Sequence, residues 1–132
     1  MATKLKISNW AQELSHAVAD EAVGISLSPL AGNDQFTSYV VDLKPGAHVT
    51  PHYHPTGIEI YQILSGQGVM KTGTVAPGKD IIWDQIVDVK GGDFFTIDPG
   101  IVHELENNSA DRLILIVTCS PSHLEKNRVV TA

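Results

Sequence analysis

The stretch that decides the fold covers residues 46–66 and reads GAHVTPHYHPTGIEIYQILSG. It contains a His-x-His pair, His52 and His54, and then a single glutamate, Glu59. Residues i and i+2 of a β-strand project to the same face, roughly 6.6–7 Å apart along it. His52 and His54 can therefore approach one ion from a single strand, and a glycine-bounded turn allows the neighbouring strand to supply Glu59.

A second stretch, residues 92–107, reads GDFFTIDPGIVHELEN and adds one more histidine, His103. Three imidazoles and a carboxylate suit Mn, Fe, Co, Ni, Cu or Zn better than Mg or Ca, which prefer oxygen ligands. The sequence therefore predicts a site for one divalent transition metal, held by His52, His54, Glu59 and His103. Four protein ligands on a metal that prefers six leave two positions for water, substrate or dioxygen.

The two stretches resemble the paired motifs of the cupins. The first family motif is G-x5-H-x-H-x(3,4)-E-x6-G, and residues 46–66 match every fixed position. The second, G-x5-P-x-G-x2-H-x3-N, is matched except at Asp98, which stands where a proline is expected. Because Pro99 follows at once, we still expect the turn to form. A two-part match is much more specific than a single short pattern, and it implies an all-β fold, a single jelly-roll cupin β-barrel.

Three further histidines lie outside this ligand set. His48 shares the strand face of His52 but is four residues away, roughly 13 Å at the strand rise, which excludes it from the same set of ligands. His16 and His123 lie outside both motifs. We expect both to be ordinary surface residues.

Glycine and proline punctuation suggests how the chain is organised. We expect an N-terminal segment with a short helix (1–22), the barrel (23–120) and a C-terminal tail (121–132). Ser8 or Asn9 can cap a helix over residues 10–19, which would pack an apolar stripe against the barrel. Nine short strands are predicted after it, at residues 24–28, 36–43, 47–54, 58–65, 68–72, 86–89, 93–97, 102–107 and 112–119.

Two stretches carry information beyond the barrel. Residues 75–85, VAPGKDIIWDQ, lengthen the link between the two motifs. One hypothesis is that they form a hairpin at the barrel mouth or at the subunit interface. The alternative is an extended hairpin packed on the barrel's own outer wall. The run LILIV at 113–117 is apolar on both faces, so one face should line the barrel and the other should be covered. A second copy of the chain covers it most simply, and we expect a homodimer.

Composition restricts the function classes. With 132 residues, 42% of them hydrophobic, the chain is long enough for one domain with a real core. Its apolar runs are of strand length, which excludes a membrane-spanning helix. A net charge of −6 with scattered basic residues argues against a nucleic-acid or anionic membrane partner. The opening MATKLKIS lacks the apolar core of a secretory signal and Cys119 is the single cysteine, so we expect a cytoplasmic protein.

Strand parity also predicts residues near the metal. Tyr61 shares the inward face of Glu59, and these two are the predicted catalytic residues. Tyr61 either donates a hydrogen bond or a proton, or is an aromatic core residue whose hydroxyl reaches the rim. The predicted wall residues are Met70, Phe95, Phe36 and Tyr39. Neither arginine, Arg112 or Arg128, lies in a motif, which favours a neutral or metal-chelating small molecule over a phosphate or dicarboxylate.

The resemblance implies a metal-dependent cupin enzyme that acts on a small molecule, with an Fe or Mn dioxygenase as the first hypothesis. A non-redox isomerase or lyase on a sugar-like substrate is the second. A cupin that binds a small ligand without turning it over is the third, since cupins host many chemistries.

Overall fold

The computed structural model describes residues 4–131. Within this range the chain forms one short α-helix, two 3₁₀ turns (Leu14–His16 and Pro121–Leu124) and eleven strands. The helix and strands, in chain order, are α1 (Trp10–Glu13), β1 (Val18–Asp20), β2 (Ile25–Gly32), β3 (Thr37–Leu43), β4 (His52–Tyr53), β5 (Glu59–Ser65), β6 (Gln67–Val75), β7 (Ile81–Lys90), β8 (Phe94–Ile97), β9 (Val102–Glu106), β10 (Leu113–Cys119) and β11 (Val129–Val130).

The strands form two antiparallel sheets around one core. One sheet has the order β1-β2-β3-β10-β5-β8 and the other β11-β4-β9-β6-β7. Strands that are distant in the chain are neighbours in space, such as β3 and β10 or β4 and β9. This connectivity confirms the predicted all-β jelly-roll barrel with a short N-terminal helix.

The period-two pattern of β5 determines what enters the barrel. Glu59, Tyr61 and Ile63 are buried along this strand, whereas the residues between them are only partly so. The apolar core draws on both sheets and includes Val41, Leu43, Val49, Ile63, Met70, Val89, Leu105, Leu113 and Leu115. Burial of these side chains drives the closure of the sheets, and the same closure carries Glu59 inside.

The N-terminal helix is shorter than predicted. Asn9 caps it as expected, since its side-chain oxygen accepts hydrogen bonds from the main-chain nitrogens of Ala11 (3.0 Å) and Gln12 (3.2 Å). The helix ends at Glu13, and from Val18 the chain pairs with β2 as a strand. The prediction of a helix to residue 19 with a buried apolar stripe is wrong, because the ladder with β2 recruits the β-branched Val18, which is 71% exposed.

The inserted residues 75–85 extend the β6–β7 hairpin. Val75 pairs with Ile81, and the turn between them closes with a hydrogen bond from the Ala76 nitrogen to the Asp80 carbonyl (2.8 Å). As a result, β7 starts five residues before the strand predicted at 86–89 and forms the edge of its sheet. Ile82 and Ile86 are exposed on it, and contact of this hairpin with a partner remains a prediction.

The turn before β9 forms despite Asp98. The Asp98 carbonyl accepts from the Ile101 nitrogen (3.3 Å), Pro99 occupies the second position, and Gly100 has a φ of +79°. This is the arrangement of a type II turn, whose third position requires a positive φ. The Gly100 nitrogen also donates to the His54 carbonyl (2.9 Å), so the turn ties the two motifs together.

The apolar run of β10 lies in the middle of its sheet, between β3 and β5. Leu113 and Leu115 face the core, and Ile114 and Ile116 are half-buried on the other face. The homodimer expected from this run remains a prediction. Across residues 4–131, no helix has the length and apolar character needed to cross a membrane.

Candidate metal centre

The structure brings the four predicted ligands together. His52 opens β4 and lies directly opposite His103 on β9, while His54 follows β4 and Glu59 opens β5. One ligand atom from each of the four lies within 4.8 Å of the others. All four residues are buried, none more than 4% exposed. This cluster could hold a metal ion.

Each of the three histidines is oriented by a main-chain carbonyl. The Nδ1 contacts are His52 to Thr50 (2.7 Å), His54 to Asn127 (2.7 Å) and His103 to Ile101 (3.0 Å). Because a carbonyl oxygen can only accept, each Nδ1 carries the proton and donates it. In a neutral imidazole the lone pair is then on Nε2, which is the protonation state that metal ligation requires.

The inward nitrogens fit a divalent cation. His54 Nε2 lies 3.0 Å from Glu59 Oε2, and His103 Nε2 lies 3.3 Å from Glu59 Oε1. Among the described residues, these two Nε2 atoms are the buried side-chain polar atoms without a hydrogen-bond partner. Lone pairs that face a carboxylate need a cation between them, and ligands about 2.1 Å from a metal at right angles would be about 3.0 Å apart.

The electrostatics of the cluster favour a neutral His52 and an ionised Glu59. Burial, and then the charge of His103, lower the pKa of His52 to about 3, although the hydrogen bond to Thr50 acts to raise it. Burial acts to raise the pKa of Glu59, but contacts with His103, His123 and His54 outweigh it and hold this pKa well below its usual range. The site therefore offers a lone pair and a negative charge at neutral pH.

Tyr61 lies against the cluster as strand parity predicted. Its ring stacks on Phe95 (centroids 5.1 Å apart) and meets His103 edge-on (6.1 Å). Burial, and then the charge of Glu59, raise the pKa of Tyr61 well above 10. The phenol therefore keeps its proton at neutral pH, and it can donate a hydrogen bond but not act as a base.

The prediction that His123 is a surface residue is wrong. Its side chain is fully buried, with Nδ1 3.0 Å from Glu59 Oε2 and Nε2 2.8 Å from the Thr56 carbonyl. The 3₁₀ turn after β10 carries it there, capped by Ser120, whose side chain accepts from the Ser122 nitrogen. The sequence Ser-Pro-Ser-His indicates such a turn, but nothing local reveals that the turn packs on the barrel.

A small cavity opens beside the cluster. It has a volume of about 40 Å³ for the centres of water molecules and is bordered by His52, His54, Glu59 and Tyr61. Its other walls are largely aliphatic and include Ile25, Leu27, Val41, Val49, Leu105 and Leu115. Tyr39 lines it as predicted, whereas Phe36 is 48% exposed and its prediction as a wall residue is wrong. The space suits a few waters or a diatomic molecule.

The remaining candidates lie elsewhere. His48 lies outside the cluster as expected, but it does not share the buried face of His52, since its exposed side chain contacts Glu104 on the outer side (2.7 Å). His16 is exposed, as expected. Asn107, the last fixed position of the second motif, is buried and holds a loop in place, since it donates to the carbonyls of Leu43 and Asp111. Arg128 borders the cavity although it is outside both motifs, and its guanidinium pairs with Asp20 (2.7 Å).

The comparisons with known proteins agree with this fold. The family described as "Cupin domain" matches residues 39–119, and the chain belongs to this family. Germin-like protein 5-1 of Oryza sativa subsp. japonica is 31% identical over 80 residues, which make up 61% of this chain and 34% of the rice protein. The chain thus spans about a third of the length of this curated relative.

Solved structures share the fold. KdgF from a Halomonas species superposes with a TM-score of 0.68 at 16% identity, over 89% of this chain and 94% of its own. A double-stranded β-helix protein from Klebsiella pneumoniae subsp. pneumoniae MGH 78578 superposes with a TM-score of 0.65 at 19% identity, over 82% and 84%. At these identities the likeness establishes the fold alone.

Proposed function

We propose that this cupin is a metal-dependent enzyme that acts on a small neutral or metal-chelating molecule, with an Fe or Mn dioxygenase as the first candidate. The observation that carries the proposal is the convergence of His52, His54, His103 and Glu59 on one point at the edge of an aliphatic cavity. When bound, a divalent iron or manganese ion would supply polarisation of a chelating oxygen and activation of dioxygen.

The residues around the cluster define what the protein contributes. The main-chain carbonyls hold the three imidazoles in the ligating tautomer, and Glu59 supplies the negative charge. Tyr61 is the candidate hydrogen-bond donor to a bound molecule, because it is buried against His103 and retains its proton. The aliphatic walls exclude bulk water and so protect a reactive centre.

A larger opening offers a place for the organic substrate. A cleft of about 300 Å³ lies between β7 and β8, and its lining includes Met70, Thr72, Phe95 and Ile97. Thr72 pairs with His103, Phe95 with Tyr61 and Ile97 with Glu59. The cleft therefore adjoins the backbone positions that carry the cluster, and its size is at the lower end of that of small-molecule sites.

The second candidate is a non-redox isomerase or lyase with an anionic, sugar-like substrate. Arg128 at the cavity wall favours it, because a guanidinium recognises a carboxylate by paired hydrogen bonds. The existing pair with Asp20 would then have to open. The binding-module alternative predicts a saturable ligand that leaves the protein unchanged.

One experiment separates these functions. Protein loaded anaerobically with Fe(II) or Mn(II) is mixed with a panel of diketones, enediols and sugar acids, and dissolved oxygen is recorded. Substrate-dependent oxygen uptake in the wild type that is absent in His103→Ala supports the dioxygenase. Conversion of a sugar acid without oxygen uptake would replace it with the isomerase or lyase, and binding without any product would favour the binding module.

We also propose that the protein forms a homodimer. Ile114 and Ile116, half-buried on β10, and Ile82 and Ile86, exposed on β7, are among the apolar residues available for a contact. Sedimentation velocity at several protein concentrations tests this, and a monomer at every concentration contradicts it.

A further inference from the structure

The C-terminal segment supplies a histidine that neither motif contains. The 3₁₀ turn Pro121–Leu124 places His123 behind Glu59, with Nδ1 3.0 Å from Oε2. The ring stacks on His54 with centroids 4.1 Å apart and planes within 10°. Nε2 lies 2.8 Å from the Thr56 carbonyl, which can only accept, so Nε2 donates there and the ring orientation is set. Nδ1 is thereby aimed at Glu59.

The same segment also holds His54. The Asn127 carbonyl accepts from His54 Nδ1 (2.7 Å). The Asn127 side chain clamps this carbonyl in place, because Nδ2 donates to the Thr56 carbonyl (2.8 Å) and Oδ1 accepts from the Thr56 nitrogen (3.1 Å). Two of the four candidate ligands thus depend on residues that follow the barrel in the chain.

The loop between His54 and Glu59 is shaped to admit the His123 ring. Gly57 has a φ of +78°, and a Cβ at this position would lie 3.1 Å from His123 Nε2. A side chain here would strain the backbone and press on the ring. The loop and the C-terminal turn therefore fit each other around one imidazole.

We propose that His123 is a positioning residue of the metal centre. It donates from Nδ1 to Glu59 Oε2, which fixes the carboxylate with Oε1 3.3 Å from His103 Nε2. Because Nε2 also donates, to the Thr56 carbonyl, the His123 ring carries a proton on both nitrogens. Partners of this kind orient a ligand and tune its affinity for the ion. The inference rests on the proposed function, since it assumes that His52, His54, Glu59 and His103 bind a metal.

Two isosteric substitutions separate positioning from structural support. In His123→Asn the side-chain amide nitrogen can take the place of Nδ1 and still donate to Glu59, while the contact with Thr56 is lost. In His123→Gln the amide nitrogen can take the place of Nε2, so the contact with Thr56 is kept and Glu59 loses its donor. His16→Gln, at a side chain that is 71% exposed, is the matched control.

The measurements are Co(II) affinity by chelator competition, the Co(II) absorption spectrum, and the unfolding temperature of the metal-free protein. We expect His123→Gln to bind Co(II) about 10- to 100-fold more weakly than wild type and with an altered spectrum. His123→Asn should recover most of the affinity, although it loses the ring as well. His16→Gln should match wild type in all three measurements.

The other outcomes overturn the inference in distinguishable ways. Wild-type affinity in His123→Gln would show that Glu59 needs no donor from this position. Equal loss of affinity in both variants, in step with their unfolding temperatures, would show that His123 only supports the fold. Failure of the wild type itself to bind Co(II), Mn(II) or Fe(II) would overturn the proposed function first, and the inference with it.

Discussion

His52 and His103 are directly opposed on the antiparallel strands β4 and β9, and the centroids of their rings are 4.3 Å apart. Two imidazoles this close cannot both become imidazolium cations at low energetic cost, because like charges repel strongly in a buried site. In both rings Nδ1 also donates a hydrogen bond to the main-chain carbonyl two residues earlier, that of Thr50 for His52 and that of Ile101 for His103. Each ring can therefore offer its Nε2 atom to one shared cation.

Removal of one of these histidines should remove the metal. We expect His103→Ala to lose most of its bound metal, because the substitution deletes one of the ligands. The barrel should still fold. The measurement is elemental analysis of protein purified without added metal. His48→Ala is the control, since His48 contacts Glu104 on the outer side. Full metal content in both His52→Ala and His103→Ala would contradict the ligand assignment.

Substitutions of Glu59 and Tyr61 should have different effects on metal binding and turnover. Glu59→Gln should weaken metal binding and abolish turnover, since it removes the carboxylate charge. Tyr61→Phe should leave metal affinity unchanged and lower kcat, because it removes only the phenolic hydroxyl. Isothermal calorimetry and steady-state kinetics measure the two effects. Unaltered activity in Glu59→Gln, or weaker metal binding in Tyr61→Phe, would require the roles to be reassigned.

The metal-free protein should lose stability as the pH falls below neutrality. The pKa of His52 is about 3 in the folded protein and 6.5 in the unfolded chain, so the unfolded state binds the proton first. The contribution of His52 is complete above pH 6.5 and decreases by about 1.4 kcal/mol per unit as the pH falls towards 3.

Urea unfolding of chelator-treated protein at pH 7.5 and 5.0 checks this expectation. His52 alone should account for a loss of about 2 kcal/mol between these conditions. His52→Asn can keep the donor to the Thr50 carbonyl and cannot titrate, so its stability should depend less steeply on pH. Identical pH dependence in the two proteins would mean that folding does not lower the pKa of His52.

Asn107 should matter for stability rather than for metal binding. Its side chain donates to the carbonyls of Leu43 (2.9 Å) and Asp111 (2.8 Å) and accepts from Ser109. Asn107→Ala leaves these groups without partners, and we expect a loss of about 2–4 kcal/mol in the free energy of unfolding. Urea denaturation measures it, with exposed Asn108→Ala as the control. Loss of metal without loss of stability would place Asn107 in the site instead.

The Cys119 thiol should react only slowly with alkylating reagents in the folded protein. It is fully buried, and burial together with the charge of Glu59 raises the pKa of its thiol. Alkylation by iodoacetamide requires the thiolate, so we expect slow labelling of the native protein at pH 8 and rapid labelling in denaturant. Mass spectrometry follows the reaction. Equal rates in both conditions would mean that β10 opens readily.

Much of the site could be predicted because its determinants are local. His52, His54 and Glu59 lie within one hairpin-length stretch, and the alternation of β5 places Glu59 and Tyr61 on the buried face. The turn at Pro99 and Gly100 is likewise a local preference, which survives the change at Asp98 because Gly100 accepts the positive φ. The prediction of a helix over residues 10–19 was wrong because a non-local contact decides this segment. Pairing with β2 overrides a weak helical pattern.

The sequence by itself determined the fold family, the four candidate ligands and the inward face of β5, because strand period and turn chemistry act between close neighbours. Only the tertiary structure decided that His123 lies behind Glu59, that Asn127 orients His54 and that Arg128 borders the cavity. These contacts join the C-terminal segment to a loop more than sixty residues earlier. No periodicity spans such a distance, and the packing of two sheets had to bring the residues together.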